Sequence, residues 1–158
     1  MNFEFKVKED GTAVLTKIAE PEPFIIIPAM LEGHVVNEIG TDVIPMGVKT
    51  TVQNIILPQT IEKIGPHAFE TLHYLKTLIL NEGLKEIGDY GIYTCPDLAE
   101  IYIPETVKEL GECAVGYYYE HGRSYKHRYF TLVCDEGSAA EKYCKENEIT
   151  YKTKIVMA

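Results

Sequence analysis

Residues 52–120 read VQNIILPQTIEKIGPHAFETLHY (52–74), LKTLILNEGLKEIGDYGIYTCPD (75–97) and LAEIYIPETVKELGECAVGYYYE (98–120), three gap-free copies of one 23-residue unit. Apolar residues coincide at seven places per copy: Val52, Ile55, Leu57, Ile61, Ile64, Ala68 and Phe69 in the first. The second has Leu75, Leu78, Leu80, Leu84, Ile87, Gly91 and Ile92, with Gly91 the one weak match. The third has Leu98, Ile101, Ile103, Val107, Leu110, Ala114 and Val115, while Gly65, Gly88 and Gly111 recur at a fixed offset and are read as turn formers. A period of this size marks a repeat solenoid, in which each coil buries its apolar face against its neighbours.

Within each copy, Asn54–Leu57, Thr77–Leu80 and Glu100–Ile103 are short β-rich runs ended by Pro58, Asn81 and Pro104. Proline ends a strand because it cannot donate to a ladder. The remainder of a 23-residue coil has room for a short helical or 3-10 turn near Pro66–Phe69. Residues 24–51 form a stretched first copy, with one insertion around Ala29–Val35 and a shorter one near Met46–Thr51. Upstream, NFEFKVK (2–8) and TAVLTKI (12–18) flank Glu9-Asp10-Gly11, a hairpin signal because the tight turn needs positive φ. Downstream, Phe130 is aligned with Ile101, which implies about six inserted residues within Tyr117–Tyr129 before a strand at Tyr129–Cys134. Ser138 and Glu141 then form a capping box opening a helix to about Asn147, with Ala140, Tyr143 and Cys144 on its inner stripe. The extended Ile149-Thr150-Tyr151 is expected to close the last coil and hide its edge.

The expectation is one domain over 1–158: a hairpin cap (1–21), four to five strand-rich repeat coils (22–134) and a C-terminal helical cap (135–158). A chain of 158 residues, 46% hydrophobic and 25% charged, can bury such a core. Lys and Arg number 15 against 24 Asp and Glu, and the net charge of −9 argues against nucleic-acid binding. No 18-residue apolar stretch is present, so membrane insertion is not expected. Four scattered cysteines without CxxC spacing read as free thiols. With an N-terminus that lacks the signal-peptide pattern, they favour the cytoplasm, or the cell surface or secretion if a leader has been removed.

The stretch VQNIILPQTIEKIGPHAF (52–69) resembles the BspA-like leucine-rich repeat, L-x-x-I-x-I-P-x-x-V-x-x-I-G-x-x-A-F. The likeness extends to Ile27-Pro28, Gly33, Val36 and Ile39-Gly40, and to Gly137-Ser138-Ala139 with Tyr143. It implies a right-handed superhelix used for binding, often at a cell surface, and transfers no catalytic residue.

Because side chains alternate along a strand, Ile26, Ile56, Ile79 and Tyr102 should point outward and, stacked about 5 Å apart, form an apolar ridge. An exposed apolar strip marks an interface, or it is a modest β-prone surface flanked by Asn54, Thr77 and Glu100. The second candidate is Tyr117–Tyr129, where Tyr117, Tyr118, Tyr119, Tyr125 and Tyr129 accompany Arg123, Lys126 and Arg128 against one acid, Glu120. Tyr and Arg dominate binding hot spots, although tyrosines leaning on a solenoid side with wet hydroxyls are equally ordinary. His121/His127 and His67/His73 lack metal-site spacing, and no nucleophile or phosphate-cradling motif is present. The function expected is therefore a non-catalytic recognition module with a protein partner and no cofactor. The alternatives are a self-associating element forming a homo-oligomer, or a glycan-binding module.

Overall fold

The computed structural model describes residues 1–154; the last four residues of the expected C-terminal cap lie outside the described residues. Among the described residues the chain forms a repeat stack of open, strand-rich, mostly parallel sheets with one α-helix. Each regular coil contributes one short strand to each of three ladders.

The front ladder holds Phe24–Ile26, Asn54–Ile56 and Thr77–Ile79 as one parallel sheet, and Glu100–Tyr102, Thr131–Cys134 and Tyr151–Thr153 as another. Five of these six front strands lie within 22–134, and the sixth, Tyr151–Thr153, lies in the stretch read as the C-terminal cap. The second ladder stacks His34–Ile39, Lys63–Ile64, Glu86–Ile87 and Glu109–Leu110. The third stacks Phe69–Glu70, Ile92–Tyr93 and Tyr117–Glu120. All the apolar repeat positions except Leu110 are buried between these ladders, so the 23-residue pattern is a packing pattern.

The third ladder corrects the expected 3-10 turn near Pro66–Phe69. His67, Tyr90 and Cys113, one period apart, adopt left-handed φ of 56°, 55° and 49°. That conformation costs a non-glycine residue roughly 1–3 kcal/mol. It is offset where His67 N donates to Asp89 O (3.0 Å) and Tyr90 N to Glu112 O (2.8 Å), each on the following coil. The tight turn leaves two extended residues that pair as strands. The 3-10 helix in the structure is Met46–Thr51, in the stretched first copy. It places Lys49 in the interior, donating to Asp42 Oδ1 (2.9 Å) and Glu70 O (2.6 Å).

The recurring glycines open the expected turns, since the carbonyls of Gly65, Gly88 and Gly111 accept from the N–H three residues on (3.3, 3.0 and 3.3 Å), yet none of them, nor Gly40, has a positive φ. Each is where one coil's backbone touches the last. A Cβ would lie 2.9 Å from Leu15 O at Gly40, 2.8 Å from Ile39 O at Gly65, 2.8 Å from Pro66 N at Gly88 and 2.6 Å from Asp89 N at Gly111. Their N–H groups donate to Leu15, Ile39, Ile64 and Ile87 carbonyls at 2.8–2.9 Å.

At the N-terminus, Asn2–Val7 and Ala13–Ala19 pair as the expected antiparallel hairpin, turning at Gly11 with φ 87°. Ala13–Ala19 also pairs parallel with His34–Ile39, so the hairpin is the first rung of the second ladder. It leaves the front edge at Phe24–Ile26 uncovered. The Ala29–Val35 insertion is a small hairpin, Met30–Leu31 against His34–Val35, turning at Glu32-Gly33.

At the other end, Ile101 faces Leu132, 31 positions on, so the insertion is eight residues instead of six and Phe130 precedes the strand. Phe130 is buried against Gly116. The helix runs Ala139–Asn147; Ser138 Oγ accepts from Glu141 N (3.2 Å) and Glu141 Oε1 accepts from Gly137 N (3.0 Å). Tyr143 is buried, and its hydroxyl donates to Val115 O (2.7 Å) and accepts from Val115 N (3.2 Å). One side chain thus supplies the pairing that another coil would have given Val115. Tyr151–Thr153 covers Thr131–Cys134 and carries the sheet edge one strand outward, with Lys152 and Lys154 on it, instead of ending it.

Gly88→Ala should lower unfolding free energy by about 1–3 kcal/mol through backbone overlap. Gly47→Ala, where no atom lies within 4 Å of the added Cβ, should be nearly neutral in the same urea titration. Equal midpoints for the two variants would contradict the contact.

Candidate recognition surface

The three strands Phe24–Ile26, Asn54–Ile56 and Thr77–Ile79 lie in register, with Ile26 beside Ile56 and Ile56 beside Ile79. Ile26 is 61% and Ile79 50% exposed, with Ile56 half-buried between them. Phe24, the residue outward of the same strand as Ile26, is also 50% exposed. It has the same parity as Ile26, which is the signal that could have placed it; the other copies carry Asn54 and Thr77 at that position. The row is apolar because β-prone residues hold the strands, and it is exposed because no described element covers it.

Tyr102 does not continue this row. The front ladder is unpaired between Thr77–Ile79 and Glu100–Tyr102, which fall in different sheets. Tyr102 instead leans the other way: its hydroxyl donates to Asp135 Oδ2 (2.7 Å) and Lys154 Nζ sits 4.9 Å from its ring centroid. Burial first, and the Asp135 carboxylate second, push its phenol well above the ordinary range.

The Tyr117–Tyr129 stretch is a β-hairpin, not a loose loop. Tyr117–Glu120 pairs antiparallel with Arg123–Lys126 across a left-handed His121-Gly122 turn. Its first strand is the last parallel rung of the third ladder and its second forms that sheet's edge, so the hairpin lies on a different sheet from Ile26, Ile56 and Ile79. Tyr118 stacks on Tyr125 with centroids 5.6 Å apart. Tyr117 reaches Asn147 Oδ1 through its hydroxyl (3.1 Å), and burial raises its phenol. Thr94 Oγ1 accepts from Tyr119 N (2.9 Å), and the Tyr93 hydroxyl meets Ser124 Oγ. Tyr119, Arg123, Tyr125 and Arg128 face solvent. Tyr129, 81% exposed, joins Pro96, Tyr118, His127 and Arg128 around a cleft of about 210 Å³. His127 is fixed there, with Nε2–H donating to Pro96 O (2.8 Å) and Nδ1 accepting from Tyr129 N (3.2 Å).

Several of the remaining titratable residues lie in structural pairs. His67 Nδ1 meets Glu70 Oε2 at 2.9 Å and the ring stacks on Tyr90. Lys63–Glu86 (3.1 Å) and Lys85–Glu62 (3.4 Å) link successive coils as half-exposed charge pairs, which contribute little each. No cluster of three or more metal-ligating side chains occurs among the described residues. No helix among them is long and apolar enough to cross a membrane.

The description "BspA type leucine rich repeat region" matches residues 48–121, in six copies. Over this stretch the chain is similar to the BspA-type leucine-rich-repeat family. The candidate residues fall outside the repeat positions because the repeat uses its apolar side chains in packing, leaving the outward and inserted residues.

Solved leucine-rich repeat proteins resemble the chain. One from Bacteroides capillosus is 28% identical with a TM-score of 0.63, covering 76% of this chain and 94% of that one. The T. pallidum leucine-rich repeat protein is 23% identical with a TM-score of 0.62, covering 69% of this chain and 61% of its own. A leucine-rich cell surface protein from Faecalibacterium prausnitzii is 20% identical with a TM-score of 0.59, covering 85% of this chain. This chain spans 43% of the F. prausnitzii structure and 61% of the T. pallidum one, less than two thirds of either. No curated protein matches the chain by sequence.

All four cysteines are free; Cys95, Cys134 and Cys144 are buried and Cys113 is half-buried. Burial pushes the Cys95 and Cys144 thiols up to about 12 and raises Cys113 and Cys134 as well. Since the thiolate is the reactive form, a native-state maleimide titration at pH 7 should label Cys113 slowly and leave the other three unmodified. All four should react in denaturant, and fast labelling of Cys95 in the native protein would contradict the burial.

Proposed function

We propose that the chain is a single non-catalytic recognition module that holds a protein partner against its front face. The observation that carries this reading is the apolar row across three hydrogen-bonded strands, with Phe24, Ile26 and Ile79 exposed and Ile56 half-buried between them. A contiguous exposed apolar strip on a rigid sheet is the ordinary form of a protein interface. The leucine-rich-repeat family suggests an interaction or surface module, which agrees with it. The hairpin supplies a second contact through Tyr119, Arg123, Tyr125 and Arg128, whose positive charge suits an acidic partner. Tyr117 and Tyr118 hold that hairpin in shape, and Tyr102 anchors the neighbouring sheet. Four free thiols support a reducing setting.

Self-association is the second reading, favoured by the uncovered edge at Phe24–Ile26, whose unpaired peptide groups can pair with another copy. A glycan is the third, through the tyrosine-walled cleft beside Arg128.

The double variant Ile26→Asp/Ile79→Asp tests the row. It should fold with a thermal midpoint within about 4 °C of wild type and lose the wild-type partner in pull-down. If wild type is a dimer by light scattering and the variant a monomer, the self-association reading takes its place. A folded variant that keeps every partner and oligomeric state contradicts both.

A further inference from the structure

The front ladder is open at one place. Thr77 N donates to Gln53 O and Leu57 N donates to Ile79 O, so Thr77 and Ile79 turn their peptide groups toward Asn54–Ile56. Peptide groups alternate sides along a strand, so the N–H and C=O of Leu78 and the N–H of Leu80 face the following coil. On that coil Thr131 N donates to Ala99 O and Ile103 N to Val133 O. By the same alternation, Glu100 and Tyr102 turn theirs back toward Leu78. No ladder joins the two strands.

Between them lies a groove of about 400 Å³ walled by Lys76–Leu80 and Ala99–Tyr102. The core residues of this wall are slightly less covered than their equivalents one coil earlier: Leu78 is 4% and Leu80 7% exposed, against 0% at Ile55 and 3% at Leu57. One residue beyond the wall, Asn81 Oδ1 is a buried acceptor with no partner. Pro104, at the same place on the next coil, has no N–H to offer it. The coils remain joined beside the groove, at Glu86 with Glu109 and at Tyr93 with Tyr117.

We propose that this seam is a slot for one extended peptide strand contributed by a partner protein, held by main-chain hydrogen bonds to both walls. The occupant follows from the walls. Four donors (Leu78, Leu80, Glu100 and Tyr102 N–H) and the carbonyls of Leu78, Glu100 and Tyr102 alternate along two parallel edges, and a β-strand presents the matching alternation on both of its own edges. Strands on the two walls approach within 8 Å between Cα atoms, and two ladder spacings need about 9.5 Å. Insertion therefore widens the seam by at least ~1.5 Å, turning the C-terminal coils about the two intact ladders. The slot shares with the recognition reading only the choice of a protein partner, and Ile26 has no part in it.

Residue-resolved amide exchange on the full chain tests it, with acetyl-Val-Thr-Val-Thr-Val-amide at ~1 mM as the probe and its alternate-residue N-methylated analogue as control. In the free protein the Leu78, Leu80, Glu100 and Tyr102 amides should exchange faster than those of Thr77 and Ile103. The peptide should slow these four by about tenfold or more, the N-methylated analogue should not, and Ile26→Asp should respond as wild type does. The proposal is overturned if the four amides are already slow, if the peptide leaves them unchanged or protects only Phe24–Ile26, or if the N-methylated analogue works equally well. Loss of the front-row reading, with this protection intact, leaves the slot standing.

Discussion

Successive coils touch backbone to backbone at Gly40, Gly65, Gly88 and Gly111, and the rest of the structure depends on that contact. A glycine there lets the N–H reach the carbonyl of the coil before it at 2.8–2.9 Å, with no Cβ to hold the chains apart. Once that distance is set, the apolar residues of each copy must fall at equal offsets to meet their neighbours, which is why the period is gap-free from Val52 to Glu120. The left-handed turns at His67, Tyr90 and Cys113 follow, because a tight corner is needed immediately after the contact. Where the period breaks, the chain forms hairpins at Met30–Val35 and Tyr117–Lys126, each with one strand continuing into a ladder of the stack.

Much of this was legible in the residues. Alternation located the front strands Asn54–Ile56, Thr77–Ile79 and Glu100–Tyr102 to within a residue, and Ser138 with Glu141 located the helix start. What escaped has physical reasons. Phe69–Glu70 is two residues long, too short to show a period of two, so it read as a turn. The tyrosine hairpin is aromatic or charged on both faces and has no apolar alternation to betray it. Phe130 has the size and burial of a repeat position while standing two places before the residue that pairs with Ile101, which hid two inserted residues. The glycines showed an offset, and the offset could not say what lay behind it.

The candidate site was less legible than the fold. Ile26, Ile56 and Ile79 could be assigned outward from strand parity alone, but the break before Tyr102 leaves the apolar pattern intact and consists only of missing hydrogen bonds. Placing Tyr102 with the others needed a continuous ladder; its contact with Asp135 is a tertiary event 33 residues away. The ridge and the tyrosines, two candidates along the chain, fall on separate ladders in space. The residues that the repeat does not use therefore form three distinct features: an apolar row, a basic aromatic hairpin and an open seam.

The claim beneath all of these is that the coils are registered by the glycine contacts. Native-state amide exchange of Gly65, Gly88 and Gly111 tests it most directly, since their N–H groups make the bonds in question. The account predicts that the three exchange only through global unfolding, in the slowest class of the protein and with the same denaturant dependence as the buried strand amides of Ile55 and Ile64. Exchange of these glycines through local opening, while Ile55 and Ile64 stay protected, would contradict it.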